Sequence, residues 1–240
     1  MNGNFLFELV QMATGHRTAL SRPLGPMEWD ETFQSAIRQA IVGWLYPSVQ
    51  DLPQEQRPPV KILLQWYALS ERIRIENRRI NRECVVAYQK WTSDGLRPCI
   101  LKGQGIAILY PDPLLRQPGD IDIWLDGSRQ QILDCIRKAI PNPVVCYHHV
   151  QYTEHGKVCQ EIHFIPSWMN APVHHKRLQR FFKDMAGKQI SHPVVLPNEK
   201  HPVCVPTLSF NAIYILVHIF RHLLEEGVGL RQLADYYYCL

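Results

Sequence analysis

Two aspartates, Asp120 and Asp122, stand two residues apart at the start of an apolar run that ends at Leu125. Side chains alternate between the two faces of a strand, so both carboxylates would share one face with Trp124, opposite the isoleucines between them. Carboxylates held this close repel each other unless a cation lies between them, and oxygen ligands favour Mg²⁺ or Mn²⁺ over zinc. The spacing predicts a metal site, and a solvated strand edge is the alternative interpretation.

A glycine-rich turn, Lys102-Gly103-Gln104-Gly105, precedes the aspartates. It follows a short apolar segment typical of a buried strand and leads into a predicted short helix at 106–110. Glycines let the backbone approach a ligand, and free N–H groups at a helix start bind phosphate. Lys102 would add a positive charge. The turn is therefore a candidate phosphate site, with a plain strand-to-helix connection as the alternative.

Arg116 lies four residues before Asp120. Its guanidinium can clamp a phosphate through two parallel hydrogen bonds, or it can form an ion pair with Asp112 or Asp120. The sequence leaves both interpretations open.

A third acidic residue, Glu161, repeats the alternating pattern with His163. If its strand lies beside the strand that begins at Asp120, the three carboxylates Asp120, Asp122 and Glu161 meet. Such a triad holds two cations roughly 3.5–4 Å apart and clamps the attacking and leaving oxygens of a phosphoryl transfer. Glu161 could also accept a proton from a hydroxyl group. A cross-strand ion pair is the alternative role for Glu161.

These segments together resemble a known family. A Lys-Gly turn, a short helix ending in Tyr110-Pro111, Arg116 and the run 119–122 resemble the nucleotidyltransferase fold of the DNA polymerase β superfamily. More closely, they resemble its branch of uncharacterised nucleotidyltransferases. The predicted long helix upstream and the later segments 161–163, 218–222 and 229–235 fit the same branch. The likeness extends over about residues 60–240 and is most specific across 101–125.

The resemblance implies metal-dependent transfer of a nucleoside monophosphate from an NTP to a hydroxyl acceptor, with release of pyrophosphate. It implies that Asp120 and Asp122 bind both metal ions (Mg²⁺ or Mn²⁺) and that Glu161 binds the metal nearer the nucleophile. Gly103 would lie in the turn that holds the triphosphate. The acceptor is not identified by the sequence.

Three departures from the superfamily pattern favour an alternative function. Gln104 follows Gly103 where Ser or Gly is usual, the third acid is Glu161 rather than Asp, and the interval from Gly103 to Asp120 is long. The alternative is a catalytically weak or inactive module of the same fold that binds a nucleotide or a partner.

Polar residues recur along a later apolar helix, at Asn211, His218 and His222. With His163, they are candidates for lining a substrate cleft, and satisfied helix–helix contacts are the alternative. His218 and His222 are four residues apart and could bind zinc, but no HExxH motif is present.

Basic residues cluster at 174–188. Three of them, Lys176, Arg180 and Lys183, share one helical face opposite an apolar face, which predicts an amphipathic helix with a solvated basic side. A patch for triphosphate or nucleic acid is the alternative. Aromatic residues do not interleave with the basic ones as a base-stacking platform would require, so nucleic acid is not the favoured partner.

The composition is that of an ordinary globular protein: 240 residues, 46% hydrophobic and 20% charged, with a net charge of +4. The longest nearly apolar run, 210–220, is shorter than the roughly 20 residues that span a bilayer. The first residues lack the basic region of a signal peptide. Seven scattered cysteines without a CxxC spacing indicate reduced thiols. We expect a cytoplasmic protein without a membrane segment.

The elements that would position these residues can be predicted from periodicity. Apolar residues every four positions over 33–45 predict one helix, and a proline-rich link over 52–59 separates it from a long helix at about 60–91. Strands are predicted at 98–101 and 120–125, and Ser128 would cap the following helix. Segments 144–153 and 157–165 predict a hairpin turning near His155-Gly156.

We therefore predict an α+β fold in which a nucleotidyltransferase-like mixed sheet is flanked by helical regions. The predicted divisions are a helical region over 1–95, an α/β core over 96–205 and a helical region over 206–240. Because the last helical pattern stops without a cap or polar tail, we expect this sequence to be a fragment of a longer protein.

Overall fold

A computed structural model describes residues 5–153, 158–225 and 227–240. Within these residues the helices are α1 Phe5–Ala13, α2 Pro26–Arg38, α3 Val42–Gln50, α4 Val60–Ser93, α5 Lys102–Ala107, α6 Arg129–Ala139, α7 Pro172–Gln189, α8 Leu208–Glu225 and α9 Leu230–Tyr237. The strands are β1 Arg97–Ile100, β2 Ile121–Asp126, β3 His149–Tyr152, β4 Gln160–His163, β5 Pro193–Val195 and β6 Pro202–Cys204. No helix of the described residues has both the length and the hydropathy needed to cross a bilayer.

The backbone contacts divide the chain into two compact units. The first comprises residues up to Asn77 with Leu114–Gln117 and Gly229–Arg231; the second comprises Arg78–Pro113, Pro118–Val228 and Gln232–Leu240. The division into three regions at residues 95 and 205 stays a prediction.

The first unit is helical, and aromatic side chains fill its core. The ring of Trp66 lies 6.3 Å from the ring of Trp29 and 5.1 Å from that of Phe33. The indole N–H of Trp66 donates to the carbonyl of Val42 at 2.8 Å, so the buried polar atom of this side chain is satisfied. The predicted long helix is confirmed as α4.

The single helix predicted over 33–45 is wrong, because the chain breaks at Ala40. Ala40 has a positive φ of 56°. Its N–H donates to the carbonyl of Ile37, and the N–H of Ile41 donates to that of Ala36, the hydrogen-bond pattern that ends many helices. Alanine normally favours helix, so no residue type in the sequence signals this break.

The second unit is built on a four-stranded sheet with the strand order β1-β2-β4-β3. β2 runs parallel to β4, while the β1–β2 and β3–β4 pairs are antiparallel. The predicted α+β fold with a mixed sheet is therefore confirmed. The predicted pairing of the hairpin strands is seen in β3 and β4, whereas the turn predicted near His155-Gly156 lies outside the described residues.

One face of this sheet forms the apolar core of the second unit. Alternate residues Ile121, Ile123 and Leu125 of β2 point into it together with Ile162 of β4. Residues of α4 and α6 close the core, including Ile80, Trp91, Ile132 and Ile136. This face is the one that the alternation of β2 predicts.

The start of α6 is also confirmed as predicted. Ser128 is the N-cap: its hydroxyl accepts the N–H of Gln131, and the Gln131 side chain accepts the N–H of Ser128 at 3.0 Å. This reciprocal pair satisfies two backbone donors that the first turn of a helix would otherwise leave unpaired.

The opposite face of the sheet is covered by helices α7 and α8. The ring of Trp124 in β2 stacks on Phe210 of α8 at 5.9 Å, and Phe210 packs against Phe182 of α7 at 5.4 Å. Because Asp122 lies on the same side of β2 as Trp124, this second face holds the carboxylates.

Candidate metal centre

The pairing of β2 with β4 brings two predicted acidic residues together. Asp122 stands beside Glu161 in the parallel register, and Trp124 stands beside His163. Side chains at paired positions share a face, so Asp122, Glu161 and His163 converge on the face opposite the apolar core. One ligand atom from each of the three lies within 4.8 Å of the others.

Asp122 is almost fully buried, at 3% exposure, and two hydrogen-bond donors lie next to its carboxylate. The ammonium of Lys102 lies 2.8 Å from Oδ1, and Nε2 of His163 lies 2.9 Å from the same oxygen. Burial alone would raise the pKa of Asp122, but the Lys102 charge and the His163 hydrogen bond outweigh it, and the pKa is lowered. Asp122 is therefore a buried, ionised carboxylate.

Lys102 reaches Asp122 because the turn that carries it is anchored beside that residue. The N–H of Leu101 donates to the carbonyl of Asp122 at 2.9 Å, and Lys102 follows with a φ of 31°. Burial lowers the pKa of Lys102, yet the charge of Asp122 more than compensates and the pKa is raised. The lysine predicted to contact phosphate is thus the counter-ion of the central carboxylate.

The other members of the turn have different environments. Gly103 adopts φ 33° and ψ −110°, and a Cβ there would have only the carbonyl of Asp120 nearby, at 3.6 Å. Gln104 is buried, and its amide donates to the side-chain oxygen of Asn81. The Gln104 side chain therefore holds the turn against α4.

Glu161 lies between two histidines. Its Oε2 is 3.6 Å from Nε2 of His163, and its Oε1 is 3.7 Å from Nε2 of His149. The hydrogen bond with His163 is the largest influence, and it lowers the pKa of Glu161 despite partial burial. In turn, hydrogen bonds to Asp122 and Glu161 raise the pKa of His163 against the effect of its own burial.

Asp120, predicted to form a triad with Asp122 and Glu161, lies outside this group of three. It immediately precedes β2 and is exposed, whereas His163 supplies the third ligand atom. Although the residue as a whole is exposed, neighbouring groups crowd its carboxyl, and this partial desolvation together with repulsion from Asp122 raises the pKa of Asp120. Because β2 begins one residue after Asp120, this side chain stands at the rim of the face rather than within it.

Arg116 belongs to the first unit, at a buried position. Its Nη1 donates to the carbonyl of Gln117 at 3.1 Å, and its own carbonyl accepts the side-chain amide of Asn77 at 2.8 Å. Its predicted contact with phosphate stays a prediction.

Two histidines beside this group were not predicted: His149, the first residue of β3, and His148, which immediately precedes it. The antiparallel register places His149 opposite His163, and Nδ1 of His149 lies 2.9 Å from Nε2 of His148. Burial is the main reason that the pKa of His148 is lowered to about 2 and that of His149 is lowered. Counting outward from the predicted turn at His155-Gly156 pairs His148 with His163, one residue away from the observed register, so this count would have pointed to the two histidines as neighbours of β4.

The candidate cleft residues of α8 lie on the same side of the sheet as the three ligands. His218 is buried, and burial together with the nearby charge of Lys102 lowers its pKa to about 2. The ring of His222 lies 4.3 Å from that of His218. The amide of Asn211 donates to the carbonyl of Pro206 at 3.5 Å. The cleft role of these residues stays a prediction.

Tyr214 of α8 was also missed. It is buried, and the described residues offer its hydroxyl no hydrogen-bond partner. Burial and the negative charges of Asp122 and Glu161 raise its pKa. Its position four residues before His218 was the available signal, since both project from one face of a helix.

The predicted basic helix is confirmed as α7. Leu178 and Phe182 are buried, while Lys176, Arg180 and Lys183 are exposed. A cleft of about 170 Å³, open to solvent, lies between α7 and the ends of β2 and β4. Its lining includes Trp124, Phe164, Phe182 and Lys183.

The donor set fits a divalent cation. Two carboxylates and one imidazole converge, which is a combination of ligands that several divalent metals accept. In addition, Nε2 of His149 is buried beside Glu161, and no hydrogen bond reaches it from the described residues. Among the described residues, this is the one group of three or more metal-ligating side chains, and His218 and His222 are not part of it.

A mixed sheet that presents paired carboxylates on neighbouring strands is the arrangement expected of the nucleotidyltransferase class. Residues 25–240 match the model of the family described as "Uncharacterised nucleotidyltransferase", and the chain belongs to this family. A search of curated proteins finds no match. The chain is similar to a solved antigenic nucleotidyltransferase-like protein from Paracoccidioides brasiliensis, with 12% identity, a TM-score of 0.38, and coverage of 68% of this chain and 75% of that chain.

Proposed function

We propose that this protein is a divalent-cation-dependent nucleotidyltransferase that moves a nucleoside monophosphate from an NTP to a hydroxyl acceptor. The observation that carries the proposal is the parallel register of Asp122 with Glu161, whose carboxylates converge with His163 within 4.8 Å. Membership of a nucleotidyltransferase family supports the same reaction class.

The proposed reaction is a displacement at the α-phosphorus of the NTP. The acceptor oxygen forms a bond to the α-phosphorus, the bond from that phosphorus to the oxygen bridging to the β-phosphorus breaks, and pyrophosphate leaves. Glu161 takes the proton of the acceptor hydroxyl. The lowered pKa of Glu161 keeps the carboxylate ionised at neutral pH, which is the form that accepts a proton, but it also makes Glu161 a weaker base than an ordinary glutamate.

Asp122 and Glu161 would hold the cation (Mg²⁺ or Mn²⁺), with Asp120 approaching from the rim of β2. When bound, the cation neutralises phosphate charge and orients the reacting oxygens. Asp122 contributes a carboxylate that is ionised at neutral pH, since its pKa is lowered by Lys102 and His163.

The triphosphate would lie along the turn at Lys102-Gly103, where Lys102 adds a positive charge beside the carboxylates. Gln104 would support that turn from behind through Asn81 rather than touch phosphate. Arg116 remains a proposed phosphate ligand. His163, Asn211, His218 and His222 would line the substrate cleft.

The cleft between α7 and the sheet is a candidate location for the acceptor. Its aromatic walls would suit an acceptor with an apolar body, and Lys183, Asp126 and Gln179 offer polar groups of both charge signs at its lining.

A second candidate function is a catalytically weak or inactive module of the same fold. It is favoured by the internal neutralisation of Asp122, whose Oδ1 already contacts both Lys102 and His163. The position of Asp120 outside the group of three also favours it. Such a module would bind a nucleotide without turnover.

The substitution Asp122→Asn tests the proposal, with Asp134→Asn, an exposed change on α6, as the matched control. Pyrophosphate release should be measured with each NTP and a panel of small-molecule, sugar, protein and RNA hydroxyl acceptors in Mg²⁺. Calorimetry should measure Mg²⁺-dependent NTP binding. We expect Asp122→Asn to lower transfer by roughly a thousandfold or more, because preorganised charge is usually the largest catalytic contribution. The control should behave as the wild type.

Two outcomes would contradict the transferase. Equal pyrophosphate release by Asp122→Asn and wild type would remove the carboxylate from the reaction. NTP binding by the wild type without release on any acceptor would favour the binding module instead.

A further inference from the structure

We propose that the exposed side of α7, together with Tyr147 and Trp168, is a docking surface for single-stranded RNA. The surface lies outside the group formed by the carboxylates and His163, and RNA binding to it needs no cation. The inference deepens the proposed function by naming the class of acceptor, and it rests on that function only for the chemical step at the end of the strand.

The exposed side of α7 carries a surplus of positive charge. Its basic residues extend over about 18 Å along the helix, at about 1.5 Å per residue, which is enough for several consecutive phosphates of one strand. One acidic residue, Asp184, lies among them. The basic residues are all exposed, and within the described parts of the chain none of them has an ion-pair or hydrogen-bond partner: Lys176, Arg177, Arg180, Lys183 and Lys188.

This arrangement is unfavourable for the free protein. Lys176, Arg180 and Lys183 share one helical face, and like charges three or four residues apart destabilise a helix. In α4, by contrast, Arg74 pairs with Glu71 at 3.1 Å. A polyanion bound along α7 would relieve the repulsion, and the counter-ions released from its phosphates would add to the binding free energy.

Aromatic rings lie beside the N-terminal end of this basic surface. The Tyr147 side chain is 59% exposed, and its ring lies 6.0 Å from that of Trp168 and 6.3 Å from that of His175 on α7. We call these three residues the aromatic platform. Two of its members come from other segments, because Tyr147 precedes β3 and Trp168 follows β4, so the sequence of α7 alone did not indicate a stacking surface.

The platform is fixed to α7 and α8 before any ligand binds. The Trp168 ring lies 3.8 Å from the ring of His148, and the Arg221 guanidinium of α8 lies 3.0 Å from its centroid. The preceding residue, Ser167, accepts the side-chain amide of Gln179 on α7 at its carbonyl, at 2.8 Å. A preorganised surface loses little conformational entropy on binding, which favours affinity.

The combination of charge and rings favours RNA over other polyanions. Bases in single-stranded loops and ends of RNA are unstacked, and proteins bind them by stacking on Tyr, Trp and His rings. Each stacked base adds to the affinity regardless of its sequence. An acidic protein segment or an anionic lipid headgroup would satisfy the lysines and arginines but would place no base on the exposed Tyr147 ring.

Ring contacts lead from the platform to the carboxylates. His148 touches Trp168, and its ring lies 5.3 Å from that of His163 in the candidate metal centre. A base stacked on Tyr147 would therefore belong to a nucleotide near the end of a strand that reaches this centre. In the proposed reaction, the terminal hydroxyl oxygen of the strand bonds to the α-phosphorus, pyrophosphate leaves, and the hydroxyl proton passes to Glu161.

The test measures binding of RNA to the full chain by fluorescence anisotropy, without NTP or divalent cation. The probe is a labelled, unstructured RNA of about 12 nucleotides, a length within the usual range of single-strand sites. Three to five phosphate contacts predict that log K falls with log salt with a slope of about −2 to −3.5. Polyglutamate of equal charge should displace the RNA at least tenfold less well than unlabelled RNA, because it has no bases.

The first variant combines Lys176→Gln, Arg180→Gln and Lys183→Gln. We expect RNA affinity to fall at least tenfold in about 0.1 M salt, and the slope to become smaller by about 2, because three phosphate contacts are lost.

The matched control removes the same charge from exposed arginines of α4, and its RNA affinity should stay within threefold of the wild type. It combines Arg72→Gln, Arg78→Gln and Arg82→Gln. Because both triple variants have the same net charge, a difference between them reports the location of the contacts rather than long-range attraction.

The second variant is Tyr147→Ala, which removes the exposed ring. RNA affinity should fall roughly 5- to 100-fold with an unchanged salt slope, because stacking and not a phosphate contact is lost. Tyr147→Phe keeps the ring and should bind within twofold of the wild type. Tyr67→Ala, at a 49% exposed tyrosine of α4, is the matched control and should leave RNA binding unaltered.

Equal RNA binding by the wild type and the first variant would overturn the inference, as would a Tyr147→Ala protein that binds as well as its control. Tighter binding of duplex RNA, or of single-stranded DNA of the same sequence, would also overturn it. Displacement by polyglutamate as effective as that by RNA would point to an acidic protein as the occupant instead.

These outcomes are separable from those of the transferase assay, because binding is measured without NTP. A failure to bind RNA leaves the transferase proposal standing with another acceptor. Conversely, the expected RNA binding without pyrophosphate release on any acceptor would end the transferase proposal and leave the docking surface intact.

Discussion

The two faces of the sheet in the second unit are made from the same strands but differ in chemistry, because one is apolar and the other holds charged side chains. On one face, Ile121, Ile123 and Ile162 are buried among apolar side chains. On the other face, Asp122, Glu161 and His163 are held close together with their charges balanced by one another and by Lys102. The apolar face stabilises the fold at roughly 25 cal/mol per Å² buried. On the polar face, removing charged side chains from water is unfavourable, but it is tolerated because each charge has a partner.

This comparison implies that neighbouring residues of one strand can be changed with separable results. Substitutions on the polar face should alter chemistry and ion binding, whereas substitutions on the apolar face should alter the free energy of unfolding.

The largest effect is expected from Glu161→Gln on the polar face. The change keeps the size of the side chain but removes the proposed proton acceptor, so the rate of nucleotide transfer should fall by roughly 10²–10⁴-fold. The free energy of unfolding should change by less than about 1 kcal/mol, because the amide can still hydrogen-bond. Steady-state pyrophosphate release and urea unfolding measure the two quantities.

The matched control is Glu55→Gln, an exposed change in the first unit, which should affect neither quantity. A Glu161→Gln protein that transfers nucleotide at the wild-type rate would show that the proton leaves by another route.

A smaller effect is expected one residue away, at Ile162 on the apolar face. Ile162 is fully buried, so Ile162→Ala should lower the free energy of unfolding by about 3 kcal/mol through lost transfer energy and a cavity. Urea denaturation at 25 °C measures this loss, and calorimetry should show unchanged cation affinity for the folded fraction. Ile75→Ala, at a 61% exposed position, is the control and should cost less than about 0.5 kcal/mol. A comparable loss at both positions would mean that the two-face description is incorrect.

The smallest effect concerns the ion pair that crosses the polar face. Lys102→Met removes the ammonium that competes with a cation for Oδ1 of Asp122, so Mg²⁺ affinity should rise about tenfold, which corresponds to about 1.4 kcal/mol. Calorimetry without nucleotide measures the change, and Lys176→Met on the exposed side of α7 serves as control. Unchanged or weaker binding would indicate that Lys102 does not compete for the carboxylate.

Much of the sheet could be predicted from the sequence because its signals are local. The alternation at 120–125 identifies the buried face of β2, and Ser128 with Gln131 marks the start of α6. The hypothesis that Glu161 lies beside Asp122 rests on the alternating patterns of two segments and on the assumption that their strands are adjacent in the sheet. The observed parallel pairing of β2 with β4 places Asp122 directly beside Glu161.

The features that escaped prediction depend on non-local contacts or on a single backbone angle. The break at Ala40 comes from one positive φ at a residue that favours helix. The ion pair of Lys102 with Asp122 joins residues 20 apart in the chain, and its formation depends on how the turn after β1 closes on β2. His163 joins Asp122 and Glu161 because the parallel register places it beside Trp124 on the same face of the sheet, and such a register is not specified by local alternation.

The two glycines of the turn after β1 are each required by the fold alone. Gly103 takes a φ of 33° with a ψ of −110°, a conformation that other residues rarely adopt, and a Cβ at Gly105 would lie 2.6 Å from the carbonyl of Ile100. A relative that had lost the carboxylates of β2 and β4 would still need both glycines in order to fold. The Gly-x-Gly pattern of this turn is therefore a marker of the fold, and the residues at the positions of Asp122 and Glu161 would have to be inspected separately to judge which relatives keep the candidate cation site.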